Sequence, residues 1–250
     1  MEDMNQRTAL GISLKAFAVL MVSVCLIYEL VTPSVSLGTL WFSYLVGAVL
    51  YMVAYLMTSV QAKAESGNDD VRFSIIREQD ILPDLDKAIR DLLVACFPAD
   101  REYYGRQSWW HCVPAYRVLG RDAAGSIVAH AGIVDRIVKM GEGNVRTRVA
   151  GVQGFCVSQD HRGAGVSKRL MSAAMEEATR LRFDAGLLFC IGELEAVYGR
   201  MCWEKLDSDV YMLDEESGKT PIPAKNITMF YPLGKRQLPP GDIDLAGTDW

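Results

Sequence analysis

Two long apolar runs open the chain and have no counterpart after them. Leu10–Val31 carries only Lys15 near its start and Glu29 near its end, and Leu37–Thr58 carries no charge. Each run is about 22 residues, and a helix needs roughly 20 apolar residues to cross a bilayer. Between them, Thr32-Pro33-Ser34-Val35-Ser36 forms a turn with a helix-breaking proline. The pattern predicts a two-helix transmembrane hairpin over residues 1–60, in contact with lipid through residues 10–58. Trp41, Phe42 and Tyr44 would mark one interface, and Lys15 would snorkel to the other. The turn lacks Lys and Arg, whereas Arg7 and Lys15 precede the hairpin and Lys63 and Arg72 follow it. Both termini are therefore expected on the cytoplasmic side. The alternative for the first run is a cleaved signal peptide; the acidic opening Met1-Glu2-Asp3 and the second full-length run stand against it.

Gln61–Asp70 is small and polar, as linkers are. From Val71 to Trp250 the pattern becomes that of an α/β domain. Alternation predicts a strand at Val71–Ile76, strands at Tyr116–Arg121 and Ser126–Met140 around a turn at Asp122–Gly125, and a long strand at Arg148–Val157 after a turn at Gly141–Asn144. Helical spacing predicts Leu82–Phe97, Lys168–Arg182 and a short Leu194–Met201. Gly186–Cys190 reads as a short buried strand, and Tyr211–Leu213 and Thr228–Tyr231 as final strands. Arg101–His111 is aromatic and irregular, the composition of a lid. The expected fold is a mixed, mostly antiparallel α/β sheet flanked by helices.

Composition narrows the classes. The 250 residues are 50% hydrophobic and 23% charged, with a net charge of −5. A disordered chain would be more polar, and a broad nucleic-acid-binding face would be basic; nucleic acid is not an expected partner. The six cysteines form no C-x-x-C pair and there are three histidines, which argues against a metal centre or a disulfide framework. Cys96, Cys156, Cys190 and Cys202 lie in apolar runs and read as reduced core thiols.

The chemistry concentrates where Gly154-Phe155-Cys156-Val157 runs through Arg162-Gly163-Ala164-Gly165-Val166-Ser167 into a helix. Small residues let backbone N–H groups approach a ligand, and at a helix N-terminus those groups are unpaired and carry the positive end of the dipole. Such a turn cradles a pyrophosphate; a tight turn kept small for packing is the alternative. The segment has no Gly-Lys-Ser/Thr and no dinucleotide fingerprint.

The segment Val157-x-x-x-x-Arg162-Gly163-Ala164-Gly165-Val166-Ser167 resembles motif A of the GCN5-related N-acetyltransferases, Arg/Gln-x-x-Gly-x-Gly/Ala, with Ser167 in the last place. Tyr198-Gly199-Arg200-Met201-Cys202-Trp203 is similar to that family's Tyr-x-x-x-Gly-Phe, with Cys202 where glycine is usual. Gly151-Val152-Gln153-Gly154 and the ending Gly241–Trp250 resemble the aminoglycoside 2′-N-acetyltransferases and the rhizobial nodulation acyltransferases, with Gln153 in place of a glutamate. The resemblance implies an acyltransferase using acetyl-CoA. It places the pyrophosphate on Arg162, Gly163, Ala164, Gly165, Val166 and Ser167, and the thioester carbonyl on backbone N–H groups in Phe155, Cys156 and Val157. It makes Tyr198 the general acid, against a core tyrosine as the plainer reading, and puts Gln153 and Trp250 at the acceptor. The base stays open among Glu193, Glu195, His111, His130, the Trp250 carboxylate and water. Two transfers remain open as well: acetyl to a primary amine of a small molecule or amino sugar, and a longer acyl chain to an amino sugar. A module that binds coenzyme A without catalysis is the third reading.

Overall fold

The computed structural model describes residues 71–214, 217–234 and 238–250, together with positions 49 and 52. The predicted hairpin and linker over residues 1–70 lie outside these, apart from those two positions. Among the described residues no helix is long and apolar enough to cross a membrane.

The chain runs β1 (Arg72–Arg77), α1 (Pro83–Cys96), α2 (Arg101–Tyr104), β2 (Tyr116–Arg121), β3 (Ile127–Met140), β4 (Val145–Val157), α3 (Val166–Arg180), β5 (Ala185–Ile191), α4 (Glu195–Gly199), β6 (Glu204–Leu206), β7 (Val210–Asp214), β8 (Gly218–Pro221), β9 (Asn226–Pro232) and β10 (Ile243–Asp244). The expected fold class stands for the domain: a mixed, mostly antiparallel sheet with helices on it. Two boundaries move. Helix α3 begins at Val166, two residues before the predicted start, because left-handed Gly165 (φ 74°) serves as its N-cap. The predicted helix Leu194–Met201 shrinks to α4, preceded by a 3-10 turn at Gly192–Leu194.

Strands lie in the order β6-β9-β5-β4-β3-β10-β7-β8, with β2 and β1 added on β3. In a flat sheet β6 and β7 would stand six spacings apart, about 29 Å. The link from Leu206 to Val210 spans at most about 15 Å, so the sheet must curl. β3 makes this possible. Its first half pairs with β2, and its last residues, Lys139 and Met140, pair with β10. The concave side is filled by Val134, Val138, Val149, Leu187, Phe230, Ile243, Leu245 and Trp250. Helix α3 covers the other side through Val166, Leu170, Met171, Ala174, Met175 and Ala178. Helix α1 packs Ile89, Leu92 and Leu93 with Tyr104, Leu119 and Cys156.

Candidate active site

β4 and β5, the parallel strands on either side of the Arg162–Ser167 turn and α3, pair over three positions: Val149–Ala185, Ala150–Gly186 and Gly151–Leu187. Beyond these the strands part. β5 continues on β9 out to Ile191, and β4 continues on β3 out to Val157. The opening is set by a bulge in β4, where two steps on β3 (His130 to Gly132) face three on β4 (Gln153 to Cys156). Gly154 takes φ 55° there, and a Cβ on it would come within 3.1 Å of the His130 ring.

A buried network holds the bulge. His130 is fully buried, with Nδ1 donating to the Gly154 carbonyl (2.7 Å) and Nε2 facing Arg117 (3.1 Å). Arg117, also fully buried, donates twice to Glu78 (2.6 and 2.9 Å) and to the Ser108 carbonyl (2.5 Å). Ser108 donates in turn to Asp86 (2.6 Å). Burial, with Arg117 beside it, pushes His130 down to about 3. This histidine is therefore a neutral structural wedge, which removes it from the open choice of base.

Backbone donors face the gap. Ser158 N–H donates to the Val128 carbonyl (2.8 Å). Along an antiparallel strand alternate amides point to the same neighbour, so that of Val157, past the bulge, points away from β3. The Val157 carbonyl on that side accepts from Arg162 Nε (3.0 Å) and from the Cys96 thiol (3.6 Å). The Cys156 thiol, bonded to Cys96, and nearby Arg162 hold the Cys96 thiol down at about 7 against its burial. Cys156 is pushed well up, chiefly by its bond to Cys96 and by burial.

The turn has the predicted openness. Gly163 has φ 81°, and a Cβ on it would meet nothing within 4 Å. Among the described residues the N-cap of α3, Gly165, offers no side chain to its first turn, the kind of helix start whose amides can receive an anion. Ala164 and Val166 are buried in the core, leaving only their backbone for a ligand. Ser167 is half-buried, and Arg162 and Lys168 are exposed. Arg169 instead donates to the Val71 carbonyl (2.7 Å) and lies over Phe73.

Tyr198 reaches the same gap from α4. Its ring lies 5.9 Å from Phe155 of β4 and 6.4 Å from Trp203. Burial raises its phenol well above the ordinary value, with Cys190 of β5 and Cys156 of β4 adding to it. Cys202 departs from the expected core thiol: it is exposed at φ 66°, a conformation that glycine adopts most readily.

Gln153 is buried and its amide is fully engaged. Trp110 N–H donates to Oε1 (2.5 Å), and Nε2 donates to the Cys112 carbonyl (2.6 Å). Trp250 is buried with its indole against Gly151 and 5.0 Å from Phe189. Glu193 and Glu195 line an open groove of about 450 Å³ with Trp203 and Lys205, outside the parted strands. The pairing of His111 with Asp249 was missed, since 138 residues separate them.

Strands that part beside a glycine-opened helix start, with the Tyr198 ring against Phe155 at the gap, form the arrangement of an acyltransferase. The model of the nodulation protein A (NodA) family matches residues 68–234, and the chain belongs to that family. No curated protein matches. Among solved structures, the N-acetyltransferase YhbS from Escherichia coli in complex with CoA is similar at 12% identity, over 71% of this chain and 90% of that one, with a TM-score of 0.48. Escherichia coli ElaA and an acyl-CoA N-acyltransferase from Pseudomonas aeruginosa are each similar at 18% identity, over 64% of this chain and 99% of theirs, with TM-scores of 0.44.

Proposed function

We propose that the protein moves an acyl group from a coenzyme A thioester, or another pantetheine thioester, to the amino group of an amino sugar. The observation that carries this is the parting of β4 from β5 after Gly151 and Leu187, with Tyr198 between the strands and the Arg162–Ser167 turn at their end. The donor's pyrophosphate would lie on the turn and its pantetheine arm between the strands. The thioester carbonyl would then meet backbone amides of the Phe155–Val157 segment, that of Val157 among them. The amine attacks that carbon, a C–N bond forms, and the developing oxyanion is held by these amides. The C–S bond breaks, and the departing sulfur takes a proton from Tyr198.

Of the two chain lengths open from the sequence, membership of the nodulation protein A family favours the longer acyl chain over acetyl. The apolar runs within residues 10–58 fit the same reading, because an acylated sugar partitions into a bilayer beside a tethered enzyme. In that arrangement both termini and the catalytic domain lie in the cytoplasm. A thiol probe placed at Ser34 and reached only from outside the cell would support this topology; one reached only at Ser66 would reverse it.

The deciding experiment is calorimetry of the full chain in detergent with acetyl-CoA, octanoyl-CoA and coenzyme A, alongside Gly163→Glu. The variant places a carboxylate in the open cradle against the pyrophosphate. Wild-type binding with loss of at least tenfold in the variant is expected. Equal affinity in the two proteins would remove the turn from donor binding.

A further inference from the structure

We propose that His111 takes the proton from the attacking amine and that Asp249 orients its ring; this rests on the N-acyltransferase reading above. Gln153, on β4 two residues past Gly151 where the strands part, has no titratable group. Its amide is spent on the backbone of Trp110 and Cys112, the residues on either side of His111. A third bond, from His111 N–H to the Tyr103 hydroxyl (2.8 Å), completes the clamp.

The clamped backbone is strained. His111 sits at φ 38°, in the left-handed region that L-residues rarely adopt. Such strain persists where the surroundings over-determine it, and it clusters at functional sites. Here it aims a ring. Nδ1 of His111 bonds the Asp249 carboxylate, whose side chain is 7% exposed, while that of His111 is 41% exposed. The buried partner fixes the imidazole through Nδ1, and among the described residues nothing bonds Nε2.

Both members are anchored to the same stretch of β4. Gln153 holds the loop bearing His111, and Trp250, next to Asp249, seats its indole on Gly151. The groups that face the ring are Asp249, the Tyr103 phenol and the Trp110 indole, whose centroid is 4.7 Å away. Beyond them lie Cys112 and Arg136, whose guanidinium donates to the Cys112 thiol (2.9 Å) and to the Thr248 carbonyl.

The step balances without a further reactant. The amine lone pair forms the C–N bond, and the nitrogen's proton passes to Nε2. The C–S bond breaks with its electrons on sulfur. The sulfur takes the Tyr198 proton; after the product leaves, the imidazolium held by Asp249 releases its proton to solvent and the Tyr198 phenolate regains one.

The test uses the full chain in detergent, glucosamine as acceptor probe, acetyl-CoA and octanoyl-CoA as donor probes, and thiol release as readout. His111→Gly is the informative variant, because glycine adopts φ 38° without strain and the loop keeps its shape. A kcat loss of about 10²–10⁴-fold is expected, the range for a general base, with the donor KM unchanged. Added imidazole should restore at least tenfold, and the acid limb of the kcat/KM profile should vanish. Asp249→Asn should lower kcat in the same direction. A His111→Gly variant within threefold of wild type, or one folded by circular dichroism but unmoved by imidazole, overturns the role. Wild-type protein that releases no thiol with either donor overturns the N-acyltransferase reading and this role with it.

Discussion

Trp250 and Gly151 compete for one volume: a Cβ on Gly151 would stand 2.4 Å from Cε2 and 2.7 Å from Nε1 of the indole. The glycine is what lets the C-terminal residue lie flat on β4 where the strands begin to part. Arg136 covers the other face of the indole at 5.2 Å. Gly151→Ala should therefore displace the ring, at about 1–3 kcal/mol for an overpacked site. In a domain of this size that lowers the melting temperature by roughly 3–10 °C. Thermal denaturation followed by tryptophan fluorescence checks it. An unchanged melting temperature would mean that the indole yields without cost.

The buried His130 gives stability a pH dependence. Its folded value of about 3 lies below the unfolded value near 6.5. Between these limits the unfolded chain binds a proton that the folded chain refuses, so stability falls as pH falls from about 6.5 toward 3. The slope approaches one proton, about 1.4 kcal/mol per pH unit. His130→Gln removes this contribution. Urea melts at pH 7.5, 6.5 and 5.5, above most carboxylate titration, should show the wild type losing more stability than the variant across that span. Parallel losses would mean that His130 accepts its proton in the folded state.

Cys202 carries a conformational cost with little packing in return, being exposed at φ 66°. Relief of the left-handed strain, roughly 1–2 kcal/mol, outweighs the extra unfolded-state freedom of glycine, about 0.4–1 kcal/mol. Cys202→Gly should therefore stabilise by about 0.5–1 kcal/mol, and Cys202→Val should destabilise, since a branched Cβ suits that region worst. Denaturant midpoints of the two variants decide this, and a destabilised glycine variant would mean that the thiol packs.

What the sequence made legible was local. Alternation found β2 and β3, helical spacing found α1 and α3, and the run from Arg162 to Ser167 found the turn, because each signal lies within about 15 consecutive residues. Strands β6, β8 and β10 escaped because they have two to four residues each, too few for a period to appear. β10 in addition exists only where the sheet brings β3 and β7 to either side of it. Arg117 illustrates the same limit in the site. Nothing in its strand marks it as buried, yet it is fully buried because Glu78, 39 residues away, and the loop at Ser108 close over it. Gln153 reads as a neutral replacement at the acceptor, and its grip on Trp110 and Cys112 appears only once the loop is folded over β4.

The phenol of Tyr198 is the remaining chemical handle. Burial raises it, and the neighbouring thiols Cys190 and Cys156 raise it further, so it stays protonated throughout the neutral range and is a weaker acid than a free phenol. Among the described residues its hydroxyl has no hydrogen-bond partner, which leaves it for the departing sulfur. Tyr198→Phe removes that one atom and keeps the ring between Phe155 and Trp203. Turnover should fall by about 10²-fold, the low end for general acid catalysis because the donor is weak. The KM for the donor should stay near wild type, since the lost contact forms only as the C–S bond breaks. The basic limb of the kcat profile should be the same in both proteins up to pH 10, because the phenol does not ionise there. Steady-state rates between pH 6 and 10 check all three. A variant within a few-fold of wild type would make Tyr198 a packing residue. A basic limb present in wild type and absent in the variant would mean that the phenol titrates in reach of solvent.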